Sequence, residues 1–311
     1  MTKWAWLFPG QGSQYVGMGR DLVEAYPVAR DTFAAADAAL GLDLTSICIS
    51  GPEEKLRETR YTQLAVLVHS VAVLRVIEGR APAPVLVAGH SVGEYAALVA
   101  SGALRFEDAL RLVRLRAEAM YASGLVRVGA MAAIMGMSED KVEDLLAQAR
   151  SDGVIEAANY NSPVQVVVSG EVGAVDAAVK AAPAFGAKRA VRLNVSGAFH
   201  SPLMADAATN LIGALRGIKL EKPRVPIVSN VAASAVSDPD RIVELLGRQI
   251  TSPVLWRQSI ASMTGEGVSA FVEVGPGNVL CGLAKRTAPE ARCVSCSDPK
   301  TIEAFLGEVE V

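Results

Sequence analysis

The chain reads as an α/β protein: a large α/β-hydrolase-like body with a mostly parallel sheet, interrupted by a small ferredoxin-like subdomain. Three observations predict this. Short apolar runs bounded by Gly, Pro, Asn or Ser alternate with stretches of 3.6-residue apolar period, the pattern of strand and helix units that wind a parallel sheet. The stretch Gly89-His90-Ser91-Val92-Gly93 joins one such run to a helical pattern. Glycines flanking a serine in this G-x-S-x-G form permit the strained strand-to-helix turn of a nucleophile elbow. Finally, the order within residues 126–196 changes to βαββαβ, the ferredoxin-like pattern.

The strands of the body are expected at Lys3 to Phe8, Val85 to Ala88, Val225 to Ser229, Ala270 to Val274 and Arg292 to Ser295. Three helix starts carry a capping residue followed by Pro at the first helical position: Ser201-Pro202, Asp238-Pro239 and Asp298-Pro299. In the subdomain the strands are expected at Ala130 to Gly136, Val154 to Asn159, Gln165 to Ser169 and Lys188 to Leu193. Its helices are expected at Ser138 to Gln148 and Val172 to Ala181. The predicted division is residues 1–125 and 197–311 for the body and 126–196 for the insert, with no flexible linker composition at either junction and no internal repeat.

The composition excludes several classes. Over 311 residues, 51% are hydrophobic and the mean hydropathy is +0.30, enough for a sizeable core in one large or two modest domains. A net charge of −3 and a pI near 5.8 leave no footprint for nucleic acid or an anionic membrane. No uninterrupted apolar run approaches the ~18 residues of a membrane span, and the N-terminal stretch is too short in apolar residues for a signal peptide. A cytoplasmic protein is expected. Of the four cysteines, Cys48, Cys281, Cys293 and Cys296, the last two form one C-x-x-C. With no second Cys or His pair at zinc spacing, no metal site is expected and all four read as buried, reduced thiols.

A serine hydroxyl needs a base, and the chain has three histidines. His69 lies in the helical run TQLAVLVHSVAVL, where a packed, hydrogen-bonded role is expected. His90 directly precedes Ser91 in a sharp turn and projects away from it, which leaves a supporting role. His200, in Gly197-Ala198-Phe199-His200-Ser201-Pro202, sits between a loop and a helix start and is the candidate base; a surface loop histidine is its alternative. No acidic residue between 91 and 200 stands out as a third triad member, so a dyad is expected, the imidazole steadied by a backbone carbonyl.

One arginine faces the wrong way for a surface residue. In the helical pattern Phe106 to Tyr121, the residues Glu107, Arg111, Arg114 and Glu118 make a polar stripe, and Ala109, Leu112, Val113, Ala119 and Met120 an apolar one. Arg116 belongs to the apolar stripe and should point inward. A buried guanidinium needs a partner, which is an internal salt bridge, a route to the edge, or the carboxylate of a substrate. At the N-terminus, Phe8-Pro9-Gly10-Gln11-Gly12-Ser13-Gln14-Tyr15 has Tyr15 where a dinucleotide fingerprint needs a third glycine, so that reading is rejected. The turn could offer the Gln11 amide, with that of Val92, as an oxyanion hole; a plain tight turn is the alternative.

These residues, taken with FPGQGSQ (8–14), TQLAVL (62–67), GHSVGEYAAL (89–98), LVRLR (112–116), NYNSPVQVVVSG (159–170), VSGAFHSPLM (195–204) and EVGPGNVL (273–280), resemble the malonyl-CoA:acyl carrier protein transacylases and the acyltransferase domains of polyketide synthases from end to end. The resemblance implies that Ser91 is acylated and His200 is its base, the ring held by a main-chain carbonyl near Gln249. It implies an oxyanion hole from the Gln11 and Val92 amides, Arg116 on the malonyl carboxylate, and Gln63 and Asn161 at the pocket wall. Phe199 in GAFH implies malonyl rather than methylmalonyl, although synthase domains carry HAFH. The implied partners are malonyl-CoA and acyl carrier protein; no cofactor is implied beyond the coenzyme A and phosphopantetheine that the substrates carry. A monomer is implied. For an acidic carrier the basic candidates are Lys188, Arg189, Arg192, Lys285 and Arg286, whose alternative is scattered solvated charge. A serine hydrolase sharing the elbow and a non-catalytic docking module are the rival functions, and a fatty acid or a polyketide carrier fits equally.

Overall fold

A computed structural model describes residues 2–195 and 197–309. Strand β1 (Trp4–Phe8) leads into helices α1 (Arg20–Ala25), α2 (Pro27–Leu40), α3 (Leu44–Ser50), α4 (Glu53–Arg57) and α5 (Thr59–Ile77). Strand β2 (Leu86–Gly89) is followed by α6 (Gly93–Ala100) and α7 (Phe106–Val126). Then come β3 (Gly129–Met135), α8 (Asp140–Ala149), β4 (Ile155–Ser162), β5 (Gln165–Glu171), α9 (Val172–Ala181) and β6 (Arg189–Arg192). The chain closes with α10 (Ala205–Leu215), β7 (Ile227–Val228), β8 (Ala235–Val236), α11 (Pro239–Gln249), α12 (Trp256–Gly265), β9 (Ala270–Val274), α13 (Val279–Thr287), β10 (Arg292–Cys296) and α14 (Pro299–Val309).

Six strands form the larger sheet in the order β10-β9-β1-β2-β7-β8, parallel except for the final β7–β8 pair. Both faces are covered, which is why β1 and β9 are apolar at every position bar one rather than alternating. Trp4, Trp6 and Phe8 enter the main core on one side, while Ala5 and Leu7 join Trp256, Ile260 and Phe271 on the other. The β7 strand is shorter than its apolar run predicts because Pro226 has no N–H for the ladder. Two-residue β8 is too short to leave a periodic signature.

The second sheet is antiparallel, in the order β4-β5-β3-β6, and is built wholly from residues 129–192 in the expected strand–helix–strand–strand–helix–strand sequence. Alternation along β3 divides its work. Ala130, Ala132 and Ile134 pack under α8 and α9, whereas Met131 and Ala133 face the large body. The cleft between the sheets is therefore lined from both sides.

Helix α5 is the spine of the body. It is long and apolar enough, by composition, to cross a membrane, but 83% of its most apolar window is buried inside the fold. Its His69 departs from expectation: the ring is fully buried, yet neither nitrogen has a hydrogen-bond partner among the described residues. Burial pushes the imidazole down to about 3, so it stays neutral. Helix α7 runs past the predicted Tyr121 to Val126, because its last turn exposes Leu125 and Val126 and breaks the amphipathic pattern.

The cysteines also depart from expectation. Cys281 on α13 and Cys293 on β10 form a disulfide, with Cα atoms 5.3 Å apart, while Cys48 and Cys296 are free and buried. The C-x-x-C pair could not close on itself: positions three apart on a strand face opposite ways. Cys293 points to α13 and Cys296 into the main core.

Candidate active site

The site lies at the carboxyl ends of β1 and β2, the central strands of the larger sheet, where loops of an open α/β sheet form a crevice. The elbow there requires its glycines for contact. A Cβ on Gly89 would stand 2.0 Å from the Gly93 carbonyl, one on Gly93 2.1 Å from the Phe8 oxygen, and one on Gly10 2.5 Å from the His90 oxygen. The β1 loop and the elbow thus pack backbone to backbone. Ser91 is held at φ 52, a left-handed conformation costly for a non-glycine residue. Asn230, in the loop after β7, sustains it: its side chain accepts from the Ser91 N–H at 2.7 Å and donates to the Gly89 carbonyl at 2.6 Å.

His200 reaches the same point from the loop after β6. It too is left-handed, at φ 58, and Ser201 behind it caps the short helical turn Pro202–Met204 by accepting from the Leu203 N–H. Its Nε2 lies 2.8 Å from Ser91 Oγ, and Nδ1 faces the Gln249 carbonyl at 2.9 Å and the Ser252 carbonyl at 3.2 Å. Two carbonyls can only accept, so Nδ1 carries the proton and the Nε2 lone pair faces the hydroxyl. Burial, reinforced by the Arg116 charge, pushes the imidazole down to about 3. A neutral ring so placed can take the serine proton. The His200 ring nitrogens, followed by 15N NMR, are expected to show no titration between pH 8 and 5; a midpoint near the ordinary 6.5 would contradict this environment.

Arg116 is buried at 1% exposure. Its two terminal nitrogens donate to Gln63 Oε1, to Gln249 Oε1 at 2.9 Å and to Ser91 Oγ at 3.0 Å, all uncharged oxygens, and Nε has no partner among the described residues. An always-charged guanidinium facing only neutral acceptors beside the serine is an anion receptor in waiting. Gln63 continues the chain of contacts through Thr59 Oγ1 (3.1 Å), which in turn donates to Gln11 Oε1 (2.7 Å).

An inner pocket of about 100 Å³ is lined by Gln11, Gln63, His90, Ser91, Val92, Arg116, Met120, Met131, Asn159, Leu193, Val195, Phe199 and His200. Among the described residues neither the Gln11 nor the Val92 N–H has a protein acceptor, so both are free for an oxyanion in this pocket. Asn161 is not on the inner wall. It binds His90 Nε2 at 2.9 Å and lines a wider groove of about 460 Å³ that shares Gln11, His90, Asn159 and Leu193 with the pocket and runs out to Arg286.

All five basic candidates are exposed, but as two groups rather than one patch. Lys188, Arg189 and Arg192 lie at the β6 edge of the small sheet, Arg192 being paired with Asp176; Lys285 and Arg286 are on α13, which packs by β4 at the other edge. Among the described residues no three His, Cys, Asp or Glu side chains form a metal-binding cluster. Sequence reasoning missed Glu94, Asn230, Met120, Met131, Asn159, Leu193 and Val195. Only Glu94 carried a signal, an acid inside the otherwise apolar helix start GEYAALVA.

Comparison with known proteins accords with this arrangement. The acyl transferase domain family model matches residues 5–302. The malonyl CoA-acyl carrier protein transacylase of Bacillus subtilis is 43% identical over 307 residues, 98% of this chain and 97% of that protein, and its Escherichia coli K12 counterpart is 43% identical over 309 residues, 98% and 99%. Among solved structures, the acyl-carrier-protein S-malonyltransferase of Bartonella henselae superposes with a TM-score of 0.95 at 41% identity, covering 99% of this chain and 100% of that one. A malonyl-transacylase solved in complex with a type II PKS acyl-carrier protein gives 0.96 at 40%, covering 99% and 100%. A serine and a neutral histidine in hydrogen-bond contact beside a buried arginine without an ion-pair partner among the described residues, with a family model over residues 5–302 and full-length identities of 40–43%, place the chain in the acyl transferase domain family.

Proposed function

We propose that the chain transfers the malonyl group of malonyl-CoA to the phosphopantetheine thiol of acyl carrier protein, in fatty acid synthesis, through a malonyl-Ser91 intermediate. The observation that carries the acyl choice is Arg116, which offers a buried fork to a carboxylate within reach of the serine oxygen. Ser91 Oγ attacks the thioester carbonyl carbon while His200 Nε2 takes its proton. The oxyanion forms against the Gln11 and Val92 amides. The C–S bond then breaks and the coenzyme A sulfur leaves with the proton from His200. The carrier thiol enters by the same route reversed, its proton passing through His200 to Ser91, which gives ping-pong kinetics. Phe199, Met120 and Met131 close a pocket too small for long acyl chains, in keeping with a C3 unit.

The wide groove suits a pantetheine arm, and the α13 basic group flanks it through Arg286. The α/β-hydrolase-like description of the body rests on the elbow at the end of β2; a cytoplasmic monomer remains part of this reading. A second reading, a free-standing acyltransferase serving a polyketide carrier, is favoured by the relative solved with a type II PKS carrier. One assay decides among these. Incubation with malonyl-CoA is expected to add a malonyl mass to Ser91, discharged by the holo carrier that the enzyme serves. Malonate released at one rate with or without carrier would identify a hydrolase, and an unlabelled Ser91 a non-catalytic module. Reversing Lys285 and Arg286 to Glu is expected to raise the carrier KM several-fold; an unchanged KM would remove the basic groups from docking.

A further inference from the structure

Three buried polar side chains surround the dyad from outside the pocket, and one has no assigned purpose. Glu94, the second residue of α6, is 3% exposed, and among the described residues it makes no salt bridge. Its Oε2 accepts from Gln249 Nε2, and its Oε1 from the Asn230 N–H at 3.4 Å. Burial pushes the carboxyl up to about 7, while the Gln249 and Asn230 N–H groups it accepts from favour its anion. An anion is expensive to bury unless it is paired or hydrogen-bonded, which makes its two N–H donors the groups it depends on.

Gln249 shows the use. Its backbone carbonyl steadies His200 Nδ1, its Oε1 accepts from Arg116, and its Nε2 donates to the Ser91 carbonyl at 3.0 Å as well as to Glu94. A side-chain amide can turn over, presenting NH2 where it presented oxygen. Turned over, it would set two donors against each other at Arg116 and cut the guanidinium loose from one of its three acceptors. A carboxylate at the far end, which can only accept, forbids that orientation.

We propose that Glu94 is a positioning residue that locks the Gln249 amide, and through it sets both Arg116 and the His200 ring for acyl transfer. The inference rests on the malonyl-transfer reading. Glutamine in place of Glu94 keeps the shape but brings one NH2 group into the site. Where that group faces the Gln249 amide, donor meets donor; where it faces the Asn230 N–H, Gln249 keeps only a neutral oxygen in place of the carboxylate. Either way Glu94→Gln loosens the hold on Gln249 in a protein that keeps its shape.

The test is a double-mutant cycle on the rate of Ser91 acylation, followed by mass at pH 8 with malonyl-CoA and acetyl-CoA. Glu94→Gln is expected to slow malonylation about 10- to 100-fold and to narrow the malonyl-over-acetyl preference. In a Gln249→Ala background the same change should cost no more than about threefold, because the group it acts through is gone. Single effects that multiply, or a Glu94→Gln variant as fast and as selective as the parent, would overturn the assignment. If Glu94→Gln does not fold, Glu94→Asp, which withdraws the anion by one methylene, enters the same cycle under the same criterion. A parent whose Ser91 takes no malonyl label would sink the malonyl reading itself; a labelled parent with multiplying effects would sink only the role of Glu94.

Discussion

Replacing His200 with Asn is expected to slow Ser91 acylation by about 10²- to 10⁴-fold, the range of a positioned general base. Asn is the informative substitution because His200 sits at φ 58. Asn tolerates the left-handed region, so it removes the base without adding backbone strain, whereas Ala removes the base and fits that region less well than either His or Asn. The two variants should lose similar activity while Ala alone loses melting temperature. The loss should fall on the acylation rate and not on malonyl-CoA binding, since the carboxylate receptor and both candidate oxyanion amides are untouched. An Asn variant acylated at more than a tenth of the parental rate would show that the 2.8 Å contact with Ser91 is not the proton path.

The two left-handed residues illustrate what was legible in the sequence. At Ser91 the strain is announced by Gly89 and Gly93, where a Cβ would fall about 2 Å from neighbouring backbone atoms; the motif is the packing seen from the sequence side. His200 emerged by elimination among three histidines, but its backbone conformation carried no flag, since no glycine flanks it closely enough to require one. Arg116 was legible because helical period places it on an apolar stripe, and burial followed. The βαββαβ order of the insert was legible for the same reason, with periods of two and 3.6 alternating over elements long enough to repeat.

What stayed hidden depends on contacts between distant segments. Asn230 comes from a loop 139 positions from Ser91 and gives no periodic signal. Cys281 and Cys293 pair because β10 turns Cys293 toward α13, a matter of strand facing that the C-x-x-C spacing obscured. For His69 a hydrogen bond is the expectation because most buried histidines have one, and only the folded packing leaves both its nitrogens without a partner among the described residues. The five basic residues were close in kind but not in space, because the small sheet holds their segments at opposite edges.

Replacing Arg116 with Ala is expected to lower kcat/KM for malonyl-CoA by about 10²-fold and for acetyl-CoA by no more than about tenfold, so that the preference between them falls by about 10- to 100-fold. A charge-assisted bidentate contact is worth ~1.5–3 kcal/mol, and tenfold in rate corresponds to about 1.4 kcal/mol. The asymmetry follows from the geometry. An acetyl group gives the guanidinium nothing to bind and leaves it facing Gln63, Gln249 and Ser91 Oγ, whereas a malonyl carboxylate supplies the only full countercharge in contact. Because Arg116 also touches Ser91 Oγ, part of the malonyl loss should appear in kcat, and Arg116→Lys, which restores the charge without the fork, should recover binding more than preference. Equal losses with both thioesters would mean that Arg116 only steadies the serine and that the acyl group is selected elsewhere, with Phe199 and Met131, which also line the pocket, the next residues to vary.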